Sequence, residues 1–101
     1  MEKIQQAIRN GDYEEADFLF QEYIKSPSGQ YDDTAAILDA AIREHYGDRA
    51  GMWEAIRKGL LFNCRNYELY LMLGNYCLPE NSYQAYLCYE NALFHCGTYE
   101  D

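Results

Sequence analysis

Positive charge is missing from the last third of this chain. Residues 66–101 contain no Lys or Arg, and the whole chain has a formal charge of −9. Because such a surface would repel a phosphate backbone, we do not expect nucleic-acid binding. Residues 43–65 are the only locally basic stretch, with five basic residues against three acidic ones. We interpret that stretch as an ordinary solvated helix face, with a docking patch for an acidic partner as the alternative.

Long hydrophobic runs are also missing. The apolar runs, such as residues 35–38 and 59–62, are far too short to cross a bilayer, and no signal sequence opens the chain. The mean hydropathy of −0.53, with 49% hydrophobic and 25% charged residues, is typical of an ordered globular protein. A chain of 101 residues can bury one modest core. These features predict a single domain or a short repeat array, located in the cytoplasm and away from membranes.

Patterns typical of catalysis are absent from the sequence. No serine is flanked as Gly-x-Ser-x-Gly, and there is no glycine-rich phosphate loop. His45 and His95 both lie near the C-terminal ends of predicted helices, where a partly charged imidazole suits the helix dipole. We therefore predict that the chain is not an enzyme and has no cofactor.

The four cysteines do not form a metal-binding pattern. None are spaced as Cys-x-x-Cys, and no histidine lies at ligand spacing from two of them. We interpret them as reduced structural residues and predict no metal, with a disulfide or a zinc site as the alternatives. The cysteines are Cys64, Cys77, Cys88 and Cys96.

Turn-forming residues divide the chain into six predicted helices. Gly11 is placed to end the first helix, Gly47 is placed to end the third, where a positive φ is easily adopted, and Pro79 stops the fifth. The helices are predicted at about residues 2–10, 13–25, 33–46, 48–63, 66–78 and 82–97.

Polar residues at the predicted helix starts are candidates for N-caps. Asp12 and Glu15 are spaced as a capping box, in which each side chain accepts the other residue's free N–H. Asp33, Asp48 and Asn66 are placed to cap the third, fourth and fifth helices, and Ser82 to start the sixth.

The sequence repeats itself after 33 residues. A shift of 33 residues aligns residues of the same size class. These residues also lie at helical spacing within their own segments, so the 33-residue repeat agrees with the helical period of about 3.6 residues. The aligned pairs include Ile37 with Tyr70, Ala40 with Leu73, Ala41 with Gly74, Ile56 with Tyr89, Gly59 with Ala92 and Leu60 with Leu93.

Three groups of residues resemble the tetratricopeptide repeat (TPR) family. Residues 11–16, with Phe20 four positions after Ala16, resemble the opening of the second helix of a TPR. Ala85, Tyr89 and Ala92 repeat the small, aromatic, small spacing of that helix. Leu73-Gly74, three residues after Tyr70, resembles the signature of the first helix. The resemblance implies an all-α fold, a right-handed α-α superhelix of three antiparallel helix pairs, with repeats at about residues 1–30, 31–65 and 66–97.

Further features suggest a bacterial setting for these repeats. The second repeat has Met52 and Ile56 where the family has small and aromatic residues. Residues 55–61 and 83–92 are similar to repeat regions that accompany bacterial glycosyltransferase domains. This similarity implies a context for the chain and not an activity of these residues.

In the TPR family, the first helices of successive pairs line a concave groove that receives a peptide or a helix. The resemblance therefore implies a protein-binding module with no catalysis, and most of its candidate groove residues are aliphatic, which favours an apolar or amphipathic ligand. The alternative is an accessory or self-assembly module of a larger bacterial enzyme such as a glycosyltransferase. The candidate groove residues are Gln5, Leu38, Ile42, His45, Leu71, Asn75 and Leu78.

The last helix is predicted to expose an apolar side. In a repeat array this side would face a fourth helix pair, and the five residues 97–101 at the end of the predicted helix are too few to build a capping helix. We expect a second copy of the chain to cover it, with a longer repeat protein as the alternative. The candidate self-association residues are Tyr83, Tyr86, Leu93 and Phe94.

Overall fold

Six α-helices make up the computed structural model, which describes residues 2–27 and 29–100, with side chains up to residue 95. No strand occurs in these residues, so the predicted all-α class is confirmed. None of the helices in this part of the chain is long and apolar enough to cross a membrane. The helices are α1 (Glu2–Arg9), α2 (Tyr13–Lys25), α3 (Asp33–His45), α4 (Arg49–Phe62), α5 (Tyr67–Cys77) and α6 (Ser82–Glu100).

Consecutive helices pack against each other in opposite directions. Between α5 and α6, Tyr70 stacks on His95 while Gly74 faces Tyr89, so residue numbers rise on one helix as they fall on the other. The closest packing is within α1–α2, α3–α4 and α5–α6, and α3 also contacts α1 and α5. The chain is therefore a row of three antiparallel pairs with α3 at its centre.

In each of the first two pairs, a tight turn at a glycine connects the two helices. Gly11 has φ +77° and Gly47 has φ +72°, a backbone conformation that is strained for residues with a Cβ atom. Both glycines were predicted to end a helix, and the structure confirms this.

The observed N-caps agree with the predicted ones except at α2 and α3. Asp48 accepts from the Gly51 N–H at 2.9 Å and Asn66 accepts from the Glu68 N–H at 3.1 Å, as predicted. The cap of α3, however, is Asp32, which accepts from the Ala35 N–H at 2.9 Å. Asp33 is already the first residue of the helix. Its side chain is therefore directed elsewhere.

The second difference concerns the predicted capping box at α2. Asp12 accepts from the Glu15 N–H at 3.2 Å, which is the predicted half. The Asp12 N–H instead donates to the Ala7 carbonyl at 2.8 Å, because the glycine turn brings it back onto α1. The Asp12 N–H is therefore not available to donate a hydrogen bond to the Glu15 carboxylate.

Helix α6 is longer than predicted. It continues through Gly97 to Glu100, although the sequence predicts an end near residue 97. One glycine inside a helix costs about 1 kcal/mol relative to alanine, which is not enough to end a helix without a proline or a turn after it.

Most of the core belongs to two clusters of buried side chains along the row of helices. The first joins α1, α2 and α3, and the second joins α3 and α4 and is covered by partly buried residues of α5. Ile42, Ile56 and Leu69 are the largest side chains that are fully buried. Burying each such side chain stabilises the fold by about 1.5–3 kcal/mol.

Asp33 ties the start of α3 to the turn between α4 and α5. Its Oδ2 accepts from Asn63 Nδ2 at 3.0 Å and from Asn66 Nδ2 at 2.8 Å. Burial opposes ionisation, but the hydrogen bonds from Asn66 and Asn63 and from nearby backbone N–H groups outweigh it and lower the pKa of Asp33 below its ordinary value of 3.8. The ionised carboxylate therefore stabilises the folded state.

Asp33→Ala is expected to lower the free energy of unfolding at pH 7 by about 1–3 kcal/mol, because two amide donors lose their acceptor. Because the pKa of Asp33 is lowered in the folded state, its ionised carboxylate stabilises the fold fully at pH values above the ordinary Asp pKa. This stabilisation is lost as the pH falls through the pKa of Asp33 in the folded protein. Urea denaturation of both proteins at pH 7 and at pH 2.5 measures the difference. It should shrink in acid, and an equal difference at both pH values would contradict the role of the ionised carboxylate. Glu22→Ala, at an exposed position, is the control.

Candidate protein-binding surface

An open apolar hollow of about 380 Å³ lies between α5 and α6. Its walls come from both helices of the last pair, and the only charged side chain in them is Glu90. The lining residues are Tyr67, Leu71, Tyr89, Glu90, Ala92 and Leu93.

Close contact between the two helices positions one wall of this hollow. A Cβ atom added to Gly74 would lie 2.5 Å from Cε1 of Tyr89, so the missing side chain makes room for the tyrosine ring. The Tyr89 hydroxyl donates to Asn75 Oδ1 at 2.7 Å and holds the ring across α5. Ala85 and Ala92 are buried on the inner side of α6, which lets the helix backbones approach closely.

The hollow continues into an apolar stripe along the outside of α6. We define the α6 stripe as Tyr83, Tyr86, Leu93 and Phe94, which are 57–72% exposed. At 100° per residue these four side chains point away from the buried Ala85, Cys88 and Ala92. Leu93 belongs to both features, so the hollow and the α6 stripe form one surface.

Glu90 lies in the middle of this surface. On the helix it falls between Tyr86 and Leu93, and the rotation of 100° per residue places it near the centre line of the α6 stripe. Glu68 lies one helical turn before Leu71 on α5, and both glutamates are exposed.

Among the side chains that the structure describes, no cation pairs with either of these two carboxylates. Neither Glu90 nor Glu68 is in an ion pair among the residues with described side chains. Arg49 is occupied elsewhere, since it lies 3.7 Å from Glu80 and over the ring of Tyr76. The surface is therefore apolar with an acidic centre and an acidic edge.

Two of the predicted groove residues are in the core. Leu38 is 6% exposed and Ile42 is 0% exposed, and both belong to the first core cluster. The prediction that they line a groove was wrong, because α3 has neighbours on both sides of the row and its aliphatic side chains are needed to fill the contacts with them.

Two more predicted groove residues lie on α1 and α3, away from the hollow between α5 and α6. Gln5 is half-buried and lines a separate, polar hollow on α1. His45 is exposed at the end of α3 and stacks on Tyr13 of α2, with the ring centroids 3.9 Å apart. The structure does not bring either residue near the hollow.

The remaining three predicted groove residues lie on α5 or at its end. Leu71 lines the hollow, Asn75 supports its wall through Tyr89, and Leu78 is exposed at the C-cap of α5. The structure thus joins Leu71, a predicted groove residue, to Leu93, a predicted self-association residue.

Sequence reasoning missed Tyr67, Tyr89 and Glu90 as parts of this surface. Tyr89 packs over Gly74 while one side of its ring remains in the hollow. Glu90 could have been found from the sequence, because it interrupts an otherwise apolar side of α6 at helical spacing.

Another polar concavity lies between α2, α3 and α4. Arg43 is 2.7 Å from Asp17 and 3.3 Å from Asp39, and the Tyr31 hydroxyl donates to Asp39 at 2.7 Å. Burial, followed by the hydrogen bond to Asp39, raises the pKa of Tyr31 well above its ordinary value. These groups satisfy one another, so the cluster links helices and does not present a ligand site.

The described cysteines are free thiols. Cys88 is buried, and burial raises its pKa, which disfavours the thiolate required for metal binding or disulfide exchange. No group of three or more His, Cys, Asp or Glu side chains in the described part of the chain is arranged to hold a metal ion. The side chain of Cys96 lies outside the described residues.

No protein-family model matches this chain, and comparisons with curated proteins and with solved structures give no match either. A functional assignment therefore depends on the residues and the surface described above.

Proposed function

We propose that this chain is a TPR-like protein-interaction module that binds an apolar or amphipathic segment of another protein and performs no catalysis. The observation that carries this proposal is the continuous apolar surface formed by the hollow and the α6 stripe. Large contiguous apolar patches are uncommon on monomeric proteins and are typical of interaction sites.

The arrangement of the helices supports the TPR-like part of the proposal, a right-handed superhelix of three pairs. In such an array each first helix contacts the first helices of the neighbouring pairs, and α3 contacts both α1 and α5 here. Small buried residues also recur at the repeat distance, since Gly59 on α4 and Ala92 on α6 are aligned by the shift and both are buried.

The second candidate function is that of an accessory or self-assembly module, with a second copy or a domain of a larger bacterial enzyme, such as a glycosyltransferase, as the partner. The observation that favours it is the exposure of Tyr83, Leu93 and Phe94 at 71–72% each. Covering each of these side chains is worth about 1.5–3 kcal/mol.

A selection from a displayed library of helical peptides tests the proposed function. We expect the purified chain to select peptides with an apolar face. Leu71→Ser and Leu93→Ser should each weaken their binding about tenfold or more, because each removes apolar contact in the hollow. Fluorescence anisotropy with labelled peptides gives the dissociation constants.

Leu61→Ser is the matched control for this experiment. Leu61 is 74% exposed and Leu93 is 72% exposed, but Leu61 lies on α4, which makes no contact with the described part of α6. Selected peptides that are insensitive to Leu71→Ser and Leu93→Ser, or equally sensitive to Leu61→Ser, would contradict the proposed surface.

A further inference from the structure

We infer that the partner segment is a cationic amphipathic helix, whose apolar side chains enter the hollow and cover the α6 stripe while its Lys or Arg side chains reach Glu90 and Glu68. This inference rests on the proposed function and specifies the chemistry of the ligand. It follows from the position of the two carboxylates relative to the apolar side chains.

The shape of the surface fits a helix. The α6 stripe runs from Tyr83 to Phe94, which at 1.5 Å per residue is a length of about 16 Å, or three helical turns. A helix presents anchors at positions i, i+3 or i+4 and i+7, a spacing that matches apolar groups spread over that length. The hollow receives one large anchor beside Leu71 and Leu93.

Glu90 determines the charge of the partner. A wholly apolar segment lying along the α6 stripe would remove water from this carboxylate and leave it without a counter-charge, which is costly. Lys and Arg have long apolar stems and a charged end, so they can cover neighbouring apolar surface and still reach a carboxylate. Residues 66–101 contain no Lys or Arg, and Glu90 is in no ion pair among the described side chains, so a cation of the partner is free to pair with it.

The same carboxylate disfavours a second copy of this chain. A two-fold contact that overlaps two α6 stripes would bring two Glu90 side chains into one apolar interface without a cation from residues 66–101 of either copy. The formal charge of −9 adds repulsion between copies. A cationic helix avoids both costs.

Two synthetic peptides of 18 residues test this inference. Both carry leucines on one helical face, and the other face carries lysines in the first peptide and glutamates in the second. By fluorescence anisotropy at about 0.1 M salt, we expect the lysine peptide to bind at least tenfold more tightly than the glutamate peptide. We also expect Glu90→Gln to weaken the lysine peptide about three- to tenfold and to reduce the salt dependence of its binding.

Glu22→Gln is the control for general attraction to an acidic protein. Glu22 is exposed on α2, which contacts neither α5 nor α6 in the described structure, and the substitution removes the same charge. An equal loss of affinity in Glu22→Gln and Glu90→Gln would overturn the inference, because it would show attraction to the net charge alone.

The remaining outcomes separate this inference from the proposed function. Equal binding of the lysine and glutamate peptides, with both weakened by Leu93→Ser, overturns the cationic partner and keeps the apolar docking surface. If neither of the synthetic peptides nor any displayed peptide depends on Leu71 or Leu93, both proposals fail. A dimer in sedimentation velocity that Leu93→Glu dissociates with helicity retained would show that a second copy is the occupant and overturn the cationic helix.

Discussion

Leu38→Asp is expected to unfold the chain, whereas Leu71→Asp is expected to leave it folded. Leu38 is 6% exposed in the core cluster of α1, α2 and α3, and Leu71 is 41% exposed in the hollow. Removing a buried leucine side chain costs about 2–5 kcal/mol, and placing a carboxylate there without a partner adds to that cost. The sum is comparable with the whole stability of a typical domain, about 5–15 kcal/mol.

Circular dichroism at 25 °C and urea denaturation measure both variants. Leu38→Asp should lose most of its helical signal, while Leu71→Asp should lose about 1 kcal/mol of stability or less, since water still reaches the new carboxylate. Leu38→Ala is an intermediate variant that should fold with reduced stability. A stable, fully helical Leu38→Asp protein would show that Leu38 is on a surface, as the TPR resemblance implied.

Gly59→Leu is expected to lower the free energy of unfolding by about 1–3 kcal/mol. A Cβ atom at Gly59 would lie 2.6 Å from Cβ of Ala36 and 2.7 Å from Cδ1 of Leu69. Cβ of Ala36 is attached directly to the backbone of α3, so only movement of whole helices makes room. Leucine forms helices more readily than glycine by about 0.8 kcal/mol, so a net loss of stability must come from packing.

Ala50→Leu is the control for this substitution, because Ala50 is an exposed residue of the same helix and can accept the larger side chain without contact. Gly59→Ala should fall between the wild type and Gly59→Leu in urea denaturation. A Gly59→Leu protein as stable as the wild type would contradict the close contact of α3, α4 and α5. Because Leu69 is part of α5, the same contact also positions the hollow, so Gly59→Ala should weaken binding of the lysine peptide as well.

Local features of the sequence predicted the helices well. The positive-φ glycines, the N-caps at Asp12, Asp48 and Asn66, and the all-α class could be predicted because each depends on residues within a few positions of one another. A cap is a hydrogen bond to an N–H two or three residues away, and a helix turn needs only its own backbone.

The choice between adjacent residues at a helix start required the tertiary structure. Asp32 and Asp33 are both suited to cap α3, and the sequence does not distinguish them. Asp33 is held by Asn63 and Asn66, which are 30 and 33 residues away, so Asp32 is left to cap the helix. Contacts at that distance have no signature in the local pattern.

By itself, then, the sequence determined the helical class, the positions of the turns and the acidic, apolar character of the last helix, because periodicity and composition are properties of a single segment. Only the tertiary structure decided which apolar side chains are hidden. It buried Leu38 and Ile42 between the helices that flank α3 and joined Leu71 to Leu93 across α5 and α6. The physical reason is that an apolar residue at helical spacing gains the same free energy from any partner that excludes water, so its spacing indicates a contact but does not identify the neighbour.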